Sequence, residues 1–333
     1  ALVEGGNQVI VSVPDSERTS EIEALGATVI KTQVARHGKN PFKDLKLIKD
    51  YKKLIKLVKP DYVLTYTVKP NAYGGMACAK MKVPYIANVT GLGVVGEGGI
   101  LQKITLMLYK RGLRKAKCVF FQNSANKEFF EKKKIVKGNA QLLPGSGVNV
   151  EKFSYIEYPK SDKINLLFIG RIIKDKGVYE LAEAAKVFKD VNFTILGTCE
   201  YGSENPFDGL ENVNCVGYNK DVKSFVKEAH AIILPSYHEG MANVLLEGAS
   251  SGRPILASLI PGCKETFDEG VTGFGFNAKD SQDTIRAINE FLQISHEQRE
   301  QMGVRGREKM VKEFNKKFII KKYFEQIKEE YEF

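Results

Sequence analysis

Apolar and polar positions alternate with two different periods along this chain. Short apolar runs recur at 8–13, 61–66, 84–88, 118–122 and 140–143, and again at 164–169, 192–196, 213–216, 231–234 and 254–257. Each run is strand-sized. Most are separated by stretches whose apolar residues return every three or four positions, the spacing of one helix face. Strands alternating with helices of about 10–15 residues predict parallel sheets covered on both faces. Two such series predict an α/β protein of two doubly wound domains. The polar stretch 154–163, which contains Pro159, falls between the series and predicts a linker, dividing the chain into domains at 1–155 and 156–333. Residues 297–333 read as one or two long charged helices with no strand after them, so they are expected to dock back across the boundary onto the first domain. The start reads differently. Residues 1–6 and then 8–13 look like a helix end, a turn and a strand, whereas a doubly wound domain opens on strand, glycine-rich turn and helix. A first strand and most of a first helix are therefore expected to be missing from this sequence.

Composition adds exclusions. The chain has 333 residues, 43% of them apolar and 27% charged, which is ordinary for a globular protein and argues against wholesale disorder. No stretch approaches the ~18 consecutive apolar residues of a membrane span, and no signal peptide is visible. The five cysteines, Cys78, Cys118, Cys199, Cys215 and Cys263, are scattered without a CxxC pair, which argues against a disulfide framework or a zinc site and fits a reducing cytoplasm.

Charge is more informative. The net charge is +10, but residues 1–155 hold 26 Lys and Arg against 12 Asp and Glu, so this part carries +14 and the remainder −4. Such asymmetry suits an anionic partner for the first domain: nucleic acid, an acidic lipid surface or a phosphorylated substrate. Two segments concentrate the charge. Within 42–59, Lys43, Lys46, Lys49, Lys52, Lys53, Lys56 and Lys59 follow helical spacing, as a solvated face also does. Within 101–117, Lys103, Lys110, Arg111, Arg114, Lys115 and Lys117 accompany Ile104, Leu106, Met107, Leu108, Tyr109 and Leu113. That mixture predicts a helix lying on an anionic membrane surface, binding weakly and with salt dependence. Nucleic acid is disfavoured, because aromatic stacking motifs and known reader folds are lacking.

Candidate chemistry lies in the second domain. In 166–177 a strand ends at Gly170, and Arg171 and Lys176 follow in the loop before a helix starting near Val178. Open α/β sheets bind ligands at this edge, where a forked guanidinium and a lysine point charge suit a diphosphate. No GxGxxG, Walker P-loop or Asp-x-Asp is present, so a nicotinamide dinucleotide is unsuited and a metal clamp has no obvious ligands. In 234–255, Glu239 and Glu247 bracket a helix start near 241–243, where the backbone N–H groups of Gly240, Met241, Ala242 and Asn243 are expected as free donors for a hydroxyl-rich or anionic ligand. His37, His230, His238 and His296 form no triad or metal set by spacing, although His238 adjoins Glu239.

Taken together, these segments resemble glycosyltransferase family 4, the retaining, nucleotide-sugar-dependent enzymes of the GT-B fold. The carrying residues are Gly170-Arg171 with Lys176-Gly177, the pair Glu239 and Glu247, and the loop with Gly217, Tyr218, Asp221 and Val222. The first domain resembles the branch that builds bacterial capsule, exopolysaccharide, O-antigen or lipid-linked glycans, on Tyr66-Thr67-Val68-Lys69-Pro70-Asn71, Asn88-Val89-Thr90-Gly91-Leu92-Gly93, Phe121-Gln122-Asn123 and Leu143-Pro144-Gly145-Ser146-Gly147-Val148-Asn149. Many members carry histidine where Thr90 stands.

The resemblance implies two Rossmann-like domains facing a cleft, with the last helix packed on the first. It implies transfer of a hexose or N-acetylhexosamine from a UDP-sugar to a lipid-linked glycan acceptor with retention, by front-face attack, with no cofactor and no metal. The leaving diphosphate would help to deprotonate the acceptor. Arg171 and Lys176 would neutralise that diphosphate, with Glu239 as the third catalytic residue. Gly170, Gly197, Thr198, Gly217, Tyr218, His238, Gly240, Met241, Ala242, Asn243 and Glu247 would line the donor site. Thr90, Gly91, Asn123, Gly145 and Ser146 would lie on the acceptor side or line the cleft, with Thr90 in the place of a histidine that contacts the donor sugar. The implied place is the cytoplasm, peripheral on the inner face of the cell membrane. A UDP-sugar 2-epimerase of similar shape, or a truncated or inactive donor-binding protein, are the alternatives.

Overall fold

The computed structural model describes residues 1–14, 19–32, 41–91, 99–200 and 204–328. His37 and Leu92-Gly93 lie outside them. The first series of elements is β1 (Ile10–Val13), α1 (Thr19–Glu23), β2 (Thr28–Lys31), α2 (Pro41–Val58), β3 (Val63–Tyr66), α3 (Gly75–Met81), β4 (Tyr85–Val89), α4 (Gly99–Leu113), β5 (Cys118–Phe121), α5 (Ser124–Lys132) and β6 (Ala140–Leu142). The second is β7 (Asn165–Ile169), α6 (Val178–Val187), β8 (Asn192–Leu196), β9 (Val213–Gly217), α7 (Val222–Glu228), β10 (Ala231–Leu234), α8 (Asn243–Ser250), β11 (Ile255–Ser258), β12 (Gly273–Phe276) and α9 (Ser281–Gln293), followed by α10 (His296–Glu313) and α11 (Lys316–Lys328).

The described strands pair in parallel. β3, β4, β5 and β6 form one sheet in chain order, and β1 pairs with β2 in a separate two-stranded sheet. The second sheet has the order β12-β11-β10-β7-β8-β9, so strand order reverses between β7 and β10. Helices cover both faces, which is why central strands such as Tyr85–Val89, Cys118–Phe121 and Ala231–Leu234 are buried at every position and read as unbroken apolar runs. Beside α3 a wide turn, Pro70–Gly74, leads into the helix. A Cβ on Gly75 would lie 2.2 Å from the Gly112 carbonyl oxygen, so α3 and α4 touch backbone to backbone. That contact fixes which face of α4 is left outward.

The last helix docks as expected. Ile319 of α11 joins Ile86, Cys118, Phe120 and Leu143 in one apolar cluster, and the Tyr323 ring meets Phe120 edge-on at 4.9 Å. The Tyr323 hydroxyl donates to Asn88 Oδ1. The two passages of chain between the sheets are bonded to each other: Val148 N–H donates to Phe314 O at 2.8 Å and Lys316 N–H to Val148 O at 2.9 Å. The stretch predicted as a linker is no free tether. Arg307 donates to the carbonyls of Phe153 and Val150, and Arg253 to those of Ile156 and Glu157. Both cations bond main-chain acceptors where the chain passes from one sheet to the other.

Candidate active site

The loop after β7 and the loop after β10 flank the reversal in strand order, and they are zipped together. Gly177 has φ +69°, and a Cβ there would stand 2.0 Å from the Pro235 carbonyl oxygen, so only glycine lets the two loops lie this close. The Tyr237 N–H donates to Asp175 O at 2.9 Å, and the Tyr237 hydroxyl to Glu180 at 2.7 Å. A single tight turn, Lys174–Lys176, thereby delivers Lys176 to Glu239, whose carboxylate accepts its ammonium. The Ser236 hydroxyl donates to the same oxygen at 2.8 Å. These two ionic side chains are only 22% and 14% exposed, so the pair is shielded from solvent.

Arg171 lies in the same loop but outward, paired with Glu200 at 3.1 Å, the two side chains being 66% and 58% exposed. Gly170 and Gly197 meet at the ends of β7 and β8, where a Cβ on Gly197 would lie 1.7 Å from the Gly170 carbonyl oxygen; the Thr198 carbonyl accepts from Ile172 N–H at 2.9 Å. Gly217, with φ +80°, ends β9, and Tyr218 beside it is exposed. His238 is exposed next to Glu239. Glu247 sits farther along α8, where burial raises its carboxyl pKa and the Lys152 ammonium partly offsets the rise. Its protonation therefore begins at a higher pH than that of a surface glutamate.

The turn before α8 is where the two sheets meet. Thr90 presents its carbonyl to Gly240, Asn123 Nδ2 donates to Gly240 O at 2.8 Å, and Ser146 Oγ donates to Asn243 Oδ1 at 3.2 Å. Gly145 packs on Met241, and a Cβ on Gly91 would lie 3.8 Å from Gly240. Thr90, Gly91, Asn123, Gly145 and Ser146 therefore converge on one turn with Gly240, Met241 and Asn243. Asn123 also caps α5 by accepting from Asn126 N–H. One expectation needs correcting. Helix α8 begins at Asn243, and the Ala242 N–H is already taken by Gly262 O at 2.8 Å, so it is not a free donor.

Sequence reasoning did not single out Glu200, Ser236 or Gly262, and it quoted Gln122 without giving it a role. Glu200 is 29 residues from Arg171, and no spacing rule links them. Gly262 carried a weak signal as the glycine of Pro261-Gly262 after a strand. Among the described residues no three His, Cys, Asp or Glu side chains converge as metal ligands.

Residues 1–123 match the family described as "Glycosyl transferase 4-like", and residues 149–309 match "Glycosyl transferases group 1". The chain is a glycosyltransferase of the GT-B fold. Among its relatives is the N,N'-diacetylbacillosaminyl-diphospho-undecaprenol alpha-1,3-N-acetylgalactosaminyltransferase of Campylobacter jejuni, 29% identical over 318 residues, or 88% of this chain and 84% of that protein. Another is the UDP-Gal:alpha-D-GlcNAc-diphosphoundecaprenol alpha-1,3-galactosyltransferase of Escherichia coli, 26% identical over 74% of this chain and 70% of that one. In architecture this glycosyltransferase matches sucrose-phosphate synthase from Thermosynechococcus elongatus with a TM-score of 0.81 at 19% identity, over 98% of this chain and 90% of that one.

Proposed function

We propose that this glycosyltransferase moves a hexose or N-acetylhexosamine from a UDP-sugar to a lipid-linked glycan acceptor. The transfer retains anomeric configuration, needs no divalent metal, and serves assembly of a bacterial surface polysaccharide or glycoprotein glycan. The observation carrying this reading is that Lys176 and Glu239 meet at the reversal of strand order, beneath the turn touched by the loops after β4, β5 and β6. In open parallel sheets this crevice is the ligand site. The ends of β9, β8, β7 and β10 lie in a row three strand spacings wide, about 14 Å, which suits an extended nucleoside diphosphate sugar. The backbone near Gly217 and Tyr218 holds the base and Glu247 the ribose hydroxyls. Gly170, Gly197 and Thr198 line the path of the diphosphate. Arg171 and Lys176 compensate the charge that grows on it as the glycosidic bond breaks, an effect strongest when the cations are already in place. Glu239, His238 and the turn residues Gly240, Met241 and Asn243 hold the sugar. The undecaprenyl diphosphate acceptors and the UDP-Gal donor in the relatives' names favour these substrate classes.

In this reading residues 156–333 bind donor and residues 1–155 bind acceptor, at the cytoplasmic face of the membrane. Helix α4 supports the membrane part. Ile100, Ile104 and Met107 are exposed on one side together with Lys103, Lys110, Arg111 and Arg114, while Thr105, Tyr109 and Leu113 are buried on the other. An apolar row flanked by cations fits an anionic lipid surface. No helix among the described residues is long and apolar enough to cross a membrane.

Two measurements test these proposals. Calorimetry should show UDP binding equally with and without EDTA, and Arg171→Ala should weaken UDP while leaving uridine unchanged; no binding of UDP or any UDP-sugar removes the reading. Flotation with phosphatidylglycerol vesicles should carry the protein at low salt and release it at high salt, and Ile104→Glu with Met107→Glu should abolish it. Absence of flotation of the unaltered protein at both salt levels refutes the lipid-facing role of α4.

A further inference from the structure

Each cation assigned to the diphosphate already holds a carboxylate: Lys176 holds Glu239, and Arg171 holds Glu200. We propose that these two carboxylates stand in the electrostatic place of the diphosphate when the site is empty, so that donor capture and UDP release are ion-pair exchanges. This deepens the nucleotide-sugar reading and rests on it. The two exchanges differ in kind because the pairs differ in surroundings.

The Lys176–Glu239 pair is shielded, and an ammonium there bonds strongly to whichever anion is nearest. A diphosphate, with more charge and more acceptor oxygens, takes Lys176 from Glu239. Among the described residues Glu239 then keeps only the Ser236 hydroxyl as a hydrogen-bond donor. The hydroxyls of an attached sugar supply the missing donors, so a sugar-bearing diphosphate satisfies both ends of the broken pair. Bare UDP satisfies only Lys176 and leaves a half-buried carboxylate poorly paired, which is costly. Once the sugar has left for the acceptor, Glu239 regains its claim on Lys176 and works against retention of UDP. One carboxylate thus favours donor over product and hastens product departure.

The Arg171–Glu200 pair is exposed and screened, so its exchange is weaker. Nothing places Glu200 against the sugar. It competes with any diphosphate alike, whether a sugar is attached or not.

The two variants therefore have different signatures. The test is calorimetry and stopped-flow release with uridine, UDP and those UDP-hexoses and UDP-N-acetylhexosamines that the unaltered protein binds. Glu239→Gln should bind UDP about 5–10-fold more tightly, release it more slowly, and bind UDP-sugar more weakly, inverting the preference. Glu200→Gln should tighten UDP and UDP-sugar together by about 2–5-fold. That gain should shrink in high salt and vanish in an Arg171→Ala background. Uridine should be unaffected throughout. If Glu239→Gln leaves UDP affinity unchanged or weaker, or if Glu200→Gln tightens UDP even without Arg171, the exchange is overturned while UDP binding by the unaltered protein keeps the nucleotide-sugar reading intact. Failure of that protein to bind any of these nucleotides takes both down.

Discussion

Gly240→Ala is expected to lose transfer activity by about 100-fold or more while still binding UDP. A Cβ at this position would stand 1.6 Å from the Thr90 carbonyl oxygen and 2.7 Å from the Gln122 side-chain oxygen. The Gln122 amide can swing aside, but the Thr90 carbonyl belongs to the backbone leaving β4 and cannot. Retreat in the other direction is blocked as well, because Gly262 packs so tightly behind the turn that its own Cβ would meet the Gly240 oxygen at 2.6 Å. The methyl group therefore forces the first domain away from the turn. Reacting groups displaced by about 1 Å cost about 10²-fold in rate, which sets the size of the expected loss. The strand ends assigned to the nucleotide lie wholly in the second domain, so UDP affinity serves as the internal control. The measurement is kcat for sugar transfer beside UDP binding on the same preparation. Transfer at the unaltered rate would mean that the contact between Thr90 and Gly240 has no part in the reaction.

The second large effect is on stability. Arg253→Ala should lower the melting temperature by roughly 10 °C, from a loss of about 3–5 kcal/mol. Arg253 is completely buried, and its guanidinium donates to six carbonyls: Val226, Ile156, Glu157, Ser251, Gly252 and Lys227, at 2.8 to 3.4 Å. It also lies over the Tyr158 ring at 5.7 Å. Burial pushes its pKa down to about 10, which still leaves it charged at neutral pH. Removing it opens a cavity and breaks a buried hydrogen-bond network, and both effects destabilise severely. Arg253→Lys should recover only part of the loss, because an ammonium has three donors and no planar fork. Thermal melting followed by circular dichroism checks both. An alanine variant melting within about 2 °C of the unaltered protein would show that solvent replaces the guanidinium at no cost.

The sequence predicted the strands whose residues form an apolar-rich run and missed those whose run is short or broken by glycine. Strands covered on both faces were located to within one or two residues. Thr28–Lys31 was not, because only its two middle residues are apolar, and Gly273–Phe276 alternates glycine with phenylalanine and reads as a turn. The wide turn Pro70–Gly74 was equally hidden, since it accompanies the close approach of Gly75 and Gly112, which are 37 positions apart. At the site, residue types and their strand ends were legible because ligand-binding loops follow strands by a fixed rule. Their partners were not. Which carboxylate meets Arg171, which carbonyl consumes the Ala242 N–H, and which first-domain loops touch Gly240 all depend on how distant segments are placed. Local periodicity carries no information about that.

The lacing of Val148 to Phe314 and Lys316 has a mechanical consequence. Where a polypeptide crosses between two bodies twice and the crossings are stitched side by side, the bodies cannot slide past each other without tearing main-chain bonds. They can still swing about the seam, as the covers of a book swing about its spine. Helix α11 travels with the first body although it is joined covalently to the second. A swing about that seam would leave these bonds intact while parting the lip contacts at Gly240 together.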